Sequence, residues 1–164
     1  MRGRRKDREG RGMIYLIIAA GIFWLDYICK EYMDSRLSEK EEKPVLGGRI
    51  ILRKLYNRGI ILGFLKERRG LVAGISGILS LALLLGWMKL LTRKGFGFLK
   101  LAGSFLVGGG LSNLYDRLVR GHVIDYFSFG VKWKKLRRIV FNLSDIFIFM
   151  GASMTLLFGL CRRK

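Results

Sequence analysis

The sequence predicts an all-α membrane protein, a bundle of four transmembrane helices in a single domain of 164 residues. Three observations predict it. Apolar residues make up 51% of the chain, yet the formal net charge is +19. That charge crowds into blocks at positions 1–12, 30–69, 89–100, 117–138 and 162–164, with long apolar runs between them. At a rise of about 1.5 Å per residue each run covers roughly 25–35 Å, enough for a hydrocarbon core of about 30 Å. A soluble domain this basic would point to nucleic acid. Basic blocks alternating with spanning runs suit anionic lipid head groups instead. Membrane lipids are therefore expected partners, and nucleic acid is not.

The first run, Met13–Cys29, follows the basic group Arg2, Arg4, Arg5 and Lys6. It has the opening of a signal peptide, but it continues through Phe23, Trp24 and Leu25 without a small-residue cleavage site, so it reads as a retained helix. Lys30 to Lys43 is charged and turn-like. Arg49 to Tyr56 reads as a short strand or interfacial element ending at Asn57-Arg58-Gly59, and Ile60 to Leu65 as a re-entrant or surface-lying stretch. The second run is Leu71–Leu91, with Gly74 and Gly77 placed for close helix packing. The third, Phe96–Leu114, carries Lys100 one turn inside, from where lysine can snorkel. Gly108-Gly109-Gly110 in the same run fits neither a dinucleotide nor a phosphate loop and suits close helix contact. Segment Arg117–Arg138 sets Tyr126, Phe127, Phe129 and Trp133 among basic residues, the composition of a membrane interface. The fourth run is Ile139–Cys161.

Four spans put both termini on one side. The dense cluster at 2–11 and the Arg162-Arg163-Lys164 tail argue for the cytoplasm, although the two longer loops hold more Lys and Arg in total. Cys29 and Cys161 make no CxxC, so no zinc or redox motif is signalled.

Ionisable groups inside such runs are costly and are candidates for function. Asp26 and Lys30 lie four apart on one helix face and can pair, either as a structural ion pair that fixes the helix end or as part of the chemistry. Asp125 is flanked by Val123-Ile124 and Tyr126-Phe127. Asp145 has no basic residue within six positions, and a lone charge there would cost several kcal/mol. One solution is hydrogen bonding to a side chain such as Asn113, with no chemistry. The other brings Asp125 and Asp145 together to share a proton, one acid beside one base. Such a pair can activate water against a carbonyl, the machinery of an aspartic protease, with no metal or cofactor. A membrane assembly protein whose aspartates meet a partner's basic residue stays open, as does a small transporter. His122 is the one histidine, HExxH and GxSxG are absent, and histidine-based metal or serine chemistry has little support.

Four blocks in order over nearly the whole chain resemble the bacterial lipoprotein signal peptidases (signal peptidase II). They are Leu25-Asp26-Tyr27-Ile28-Cys29-Lys30; Asn57-Arg58-Gly59; Gly108 to Arg117 leading through Gly121-His122-Val123-Ile124-Asp125-Tyr126-Phe127; and Phe141-Asn142-Leu143-Ser144-Asp145. The resemblance implies Asp125 and Asp145 as the catalytic dyad of an aspartic endopeptidase. Its substrates would be prolipoproteins, cut before a diacylglyceryl-modified cysteine. Asn57, Gly59, Asn113, Arg117 and Asn142 would line the site or hold substrate, and Asp26, Lys30 and Asp116 would support it. It implies a monomer in the bacterial cytoplasmic membrane, without cofactor or metal. The site would open near the extracytoplasmic face beneath a small β/loop platform with a short interfacial helix. The chain departs from the family pattern at Tyr27, Leu62, Gly110, Ser112 and Ser144. Ser144 is expected to add a hydroxyl beside the dyad.

Overall fold

The computed structural model describes residues 2–39, 41–59 and 67–162, with side chains from Gly12 onward. The Ile60–Leu65 stretch with Leu62, the side chains of the 2–11 cluster, and Arg163-Lys164 lie outside the described residues. In chain order the elements are α1 (Arg2–Arg36), β1 (Glu42–Val45), β2 (Ile50–Asn57), α2 (Arg69–Thr92), α3 (Gly97–Tyr115), β3 (Val123–Phe129), α4 (Lys134–Arg137) and α5 (Leu143–Cys161). The 3-10 turn Leu46–Gly48 joins β1 to β2, and the π-helical turn Asp116–Arg120 prolongs α3.

Two boundaries differ from those expected. The first helix does not stop at Cys29 but runs on to Arg36. Lys30 is the reason: it is fully buried, so the charge that marks the end of the apolar run points into protein rather than into water. The last helix begins at Leu143, not Ile139. The residues before it bridge to β3, where Tyr126 N and Phe127 N donate to Phe141 O (2.9 and 3.0 Å) and Phe141 N donates to Phe127 O (2.7 Å).

Among the described residues three helices are long and apolar enough to cross a membrane: Gly12–Arg36 within α1, then α2 and α5. The expected fourth, α3, falls short on apolarity for a physical reason. It is the central helix, packed against α1, α2 and α5. A helix wrapped by others trades bulky apolar residues for small ones that admit close neighbours. The three consecutive glycines divide that task. A Cβ on Gly108 would lie 2.6 Å from Ala19 O on α1, and one on Gly109 would lie 2.8 Å from Ser144 O on α5. Gly110 faces Ser80 of α2 at an ordinary 3.7 Å. On α5, Gly151 lets Ala102 O of α3 come equally close, while Gly103 lies under the ring of Trp87. The expectation for Gly74 and Gly77 is not met. A Cβ on Gly74 would meet open space, and one on Gly77 only Leu114 Cδ1 at 3.9 Å.

Lys100 has a definite task at the helix end. Its ammonium caps the end of α2, donating to Leu91 O (3.2 Å) and Arg93 O (2.6 Å), where cations complement the C-terminal carbonyls. Nearby, Trp87 Nε1 donates to Lys100 O at 3.0 Å, so Trp87 can pack with Ala19 and Val107 in the buried core without an orphaned N–H. At this end of the bundle Phe96 of the α2–α3 turn meets Phe158 and Arg162. The opposite end carries an antiparallel sheet of order β1-β2-β3. The segment read as strand or interfacial element is thus a strand, β2. The aromatic segment supplies β3 and α4, with Phe127 and Phe129 clustered edge-on and tilted against Phe141, and Trp133 exposed.

Candidate active site

The polar residues of four elements converge where the sheet meets the bundle. Strand β3 carries Asp125, which is 2% exposed. The register of β2 on β3 pairs Leu55 with Asp125 and Asn57 with Val123. Asn57 and Asp125 are thus diagonal neighbours on one face of the sheet, and Asn57 Nδ2 donates to Asp125 Oδ2 at 3.0 Å. Asn57 Oδ1 accepts from Gly59 N at 3.1 Å, so the Asn57-Arg58-Gly59 turn holds the side chain that holds the aspartate.

Asp145 is the third residue of α5 and partners Asn142, the residue that caps the helix. Asp145 N donates to Asn142 Oδ1 (2.9 Å), and Asn142 N donates to Asp145 Oδ2 (3.0 Å). This reciprocal capping box satisfies two backbone donors of the helix start. Asn142 has a second task. Its amide, fully buried, donates to Asp125 Oδ1 at 2.8 Å and to Asn113 Oδ1 at 3.2 Å. Asn113, near the end of α3, donates through Nδ2 to Asp145 Oδ1 at 3.0 Å. The non-chemical partner foreseen for Asp145 is therefore real, but the same network ties both carboxyls to one residue, Asn142. The Phe127–Phe141 bridge explains how: it sews the residues before α5 onto β3, two positions from Asp125.

Burial, and then the charge of Asp145, push the Asp125 carboxyl from an ordinary 3.8 up to about 7. The hydrogen bonds from Asn57 and Asn142 and the charge of Lys30 oppose that rise without cancelling it.

Behind the aspartates lies a buried charge cluster. Lys30 pairs with Asp26 (2.7 Å) as their spacing of four predicts, and also with Asp116 (2.9 Å), and it donates to Asn113 Oδ1 at 2.8 Å. Asp116 pairs with Arg120 at 3.3 Å and accepts from Ile124 N at 3.4 Å, on the strand that carries Asp125. Arg120 in turn meets Glu31. Arg117 is half-buried and bonds backbone carbonyls of two segments, Asn113 O and Gly59 O, each at 3.3 Å. Its charge lies within electrostatic reach of Asp125 and Asp145. All ten residues singled out from the sequence thus fall in one connected region.

Three further side chains join the network through partners that the sequence did not assign. Tyr126 accepts Leu143 N at 3.1 Å through its hydroxyl. Ser112 and Ser144 both turn their hydroxyls to Asp26 (2.6 Å each), so Ser144 does not stand beside the dyad as expected. The Asn-x-x-Asp spacing ahead of an apolar run is the signal that marks the start of α5. Nothing local marks the direction of a serine hydroxyl. Among the described residues no group of three His, Cys, Asp or Glu could hold a metal ion.

A family profile described as Signal peptidase (SPase) II matches residues 18–161. Proteins named lipoprotein signal peptidase are similar over most of both chains. The protein from Chromobacterium violaceum is 35% identical over 142 residues, 85% of this chain and 86% of its own. That from Pseudomonas aeruginosa is 36% identical over 153 residues, 90% and 88%. That from Clostridioides difficile is 30% identical over 139 residues, 85% and 89%. In fold, the chain resembles a bacterial membrane enzyme solved by the in meso method at 2.3 Å, with a TM-score of 0.79 over 92% of this chain and 90% of the other, at 18% identity.

Proposed function

The chain belongs to the signal peptidase II family, and on that premise we propose that it cleaves signal peptides from lipid-modified bacterial precursors as an aspartic endopeptidase, with Asp125 and Asp145 as its dyad. The observation that carries the reading is the shared partner. Asn142 binds Asp125 through its side chain at 2.8 Å and Asp145 through its backbone N–H at 3.0 Å. Two acids joined through one rigid residue and largely withdrawn from solvent suit an arrangement with one proton between them.

Asp145 lies in the first turn of α5, where the helix N-terminus favours negative charge. Burial pushes the Asp125 carboxyl up to about 7, so of the pair it is the one that carries the shared proton in the reactive form. A water between them loses a proton to the Asp145 carboxylate as its oxygen bonds to the scissile carbonyl carbon, while Asp125 gives its proton to the carbonyl oxygen. The tetrahedral intermediate then collapses: its hydroxyl proton returns to Asp125, the C–N bond breaks, and the departing amine takes the proton from Asp145. Both residues end as they began. Arg117, which bonds Asn113 O and Gly59 O, and Asn57, which bonds Asp125, would act as positioning groups for the substrate's backbone.

The proposed setting is the cytoplasmic membrane, with α3 crossing it inside the shelter of the other three helices and both termini on the cytoplasmic side. The sheet, α4 and Trp133 would then face the outer leaflet. Lipidated prolipoproteins would be the partners, reaching the dyad from within the bilayer, and the chain would act as a monomer. The test is cleavage by the purified protein of a precursor peptide bearing diacylglyceryl-cysteine, beside its unlipidated twin. Cleavage of the lipidated peptide before the cysteine, at least about a hundredfold faster than of the twin, is expected. Equal rates on both would refute the lipid specificity, and no cleavage of either would refute the enzymatic reading.

A further inference from the structure

Asp26 is completely buried, and its two oxygens accept four donors. Oδ2 takes the hydroxyls of Ser112 and Ser144 at 2.6 Å each and the ammonium of Lys30 at 2.7 Å. Oδ1 takes Ser144 N at 3.0 Å. One carboxylate of α1 thereby grips α3 through Ser112 and α5 through Ser144, whose side chain and backbone both hold it.

The grip falls on the turn that bears Asp145. A helix opens with backbone N–H groups that lack partners within it, and here the first three are each satisfied from a different direction. Leu143 N goes to the Tyr126 hydroxyl, Ser144 N to Asp26, and Asp145 N to Asn142. Together they fix how far the first turn is rotated about the helix axis, and that rotation decides where the Asp145 carboxyl sits. Two serine hydroxyls within ordinary reach of one carboxylate oxygen are charge-assisted bonds, the stronger kind. Lys30 carries the same cluster onward, since its ammonium also holds Asn113 Oδ1 (2.8 Å), and Asn113 Nδ2 holds Asp145 Oδ1 (3.0 Å).

We propose that Ser112 and Ser144 are positioning residues for the cleavage reaction: with Asp26 they form a buried clasp across α1, α3 and α5 that sets the first turn of α5 and so aligns Asp145 with Asp125. The proposal rests on the dyad reading above.

The experiment measures kcat, KM and Tm of the purified full-length protein on the lipidated peptide for S112A, S144A and the double variant, with D125N and D145N alongside. The double variant is expected to lose about tenfold in kcat while KM stays within about twofold, because alignment and not binding is impaired. Each single variant is expected to lose less. In a D26N background neither serine substitution should lower kcat further. A double variant with kcat within twofold of the parent overturns the clasp, as does a KM that rises in step with the loss. If the double variant does not fold, the single variants decide by the same split. Should D125N or D145N still cleave, the dyad reading falls and the clasp with it. Should both be inactive while the serine variants match the parent, only the clasp falls.

Discussion

Asp125 sits on a strand, nearly sealed from solvent, where holding a charge is more costly than holding a proton. Its carboxyl titrates near 7 in the folded chain and near the ordinary 3.8 when unfolded. Between those values the unfolded chain has released a proton that the folded chain keeps, so the contribution of this group to stability is whole below about 3.8 and is lost as pH rises to about 7. The Asp125→Asn variant lacks that titration. Its Tm relative to the parent should therefore improve as pH is raised from about 4 to about 7, and a difference that stays constant or worsens would show that burial does not hold the proton there. At this scale the two aspartates were legible in the sequence, because isolated acids among Val, Ile, Phe and Tyr demand compensation. The pairing of Asp26 with Lys30 was legible from a spacing of four. The direction of Ser144 was not. Being next to Asp145 in sequence suggested a hydroxyl at the dyad, but neighbours on a helix point about 100° apart, and the packing of α1 against α5 decides which one meets which partner.

Among the elements, α3 illustrates how composition reflects position. Its Gly, Ser and Asn content lowers its apolarity below that of the three helices around it, and the same residues let those helices approach. The glycine run was legible as a packing device, but its division among partners was not, since that depends on helix rotation. Gly74 and Gly77 resemble packing glycines in sequence, yet a Cβ on either has room. A comparison of neighbours follows from the geometry. Gly109→Ala puts a methyl 2.8 Å from Ser144 O and should cost about 2 kcal/mol by overpacking, shifting the start of α5 and lowering activity. Gly110→Ala meets Ser80 Oγ at 3.7 Å and should be neutral or stabilise by up to about 1 kcal/mol through helix propensity. Equal Tm values for the two variants would contradict the close approach of α3 and α5. The start of α5 shows the opposite limit of sequence reading: the apolar run begins at Ile139, but the helix waits for Asn142 and its capping box.

For the whole molecule, both ends of the helical bundle have identifiable chemistry. One gathers the sheet, the aromatic cluster, the buried charges, Asp125 and Asp145; the other holds the α2–α3 turn beside Arg162 and the exposed Cys161. If the termini are cytoplasmic, a membrane-impermeant thiol reagent should label Cys161 of a Cys29→Ala variant only after the membrane is opened. Labelling in intact spheroplasts would invert the orientation. Three of the four runs were legible from hydropathy as helices long and apolar enough to cross a membrane, while the central α3 falls short of that apolarity. The joining of Asp125 and Asp145 through Asn142 was open in the sequence as one of two solutions for Asp145, because it depends on Phe141 joining β3, a long-range contact with no local signature. The most direct measurement is kcat on a lipidated precursor for Asp125→Asn, Asp145→Asn and the double variant, each shown to be folded. A dyad acting as a unit predicts a loss of at least about a thousandfold in each single variant, with the double variant no slower than the worse single one. Cleavage within tenfold of the parent by either single variant would contradict it.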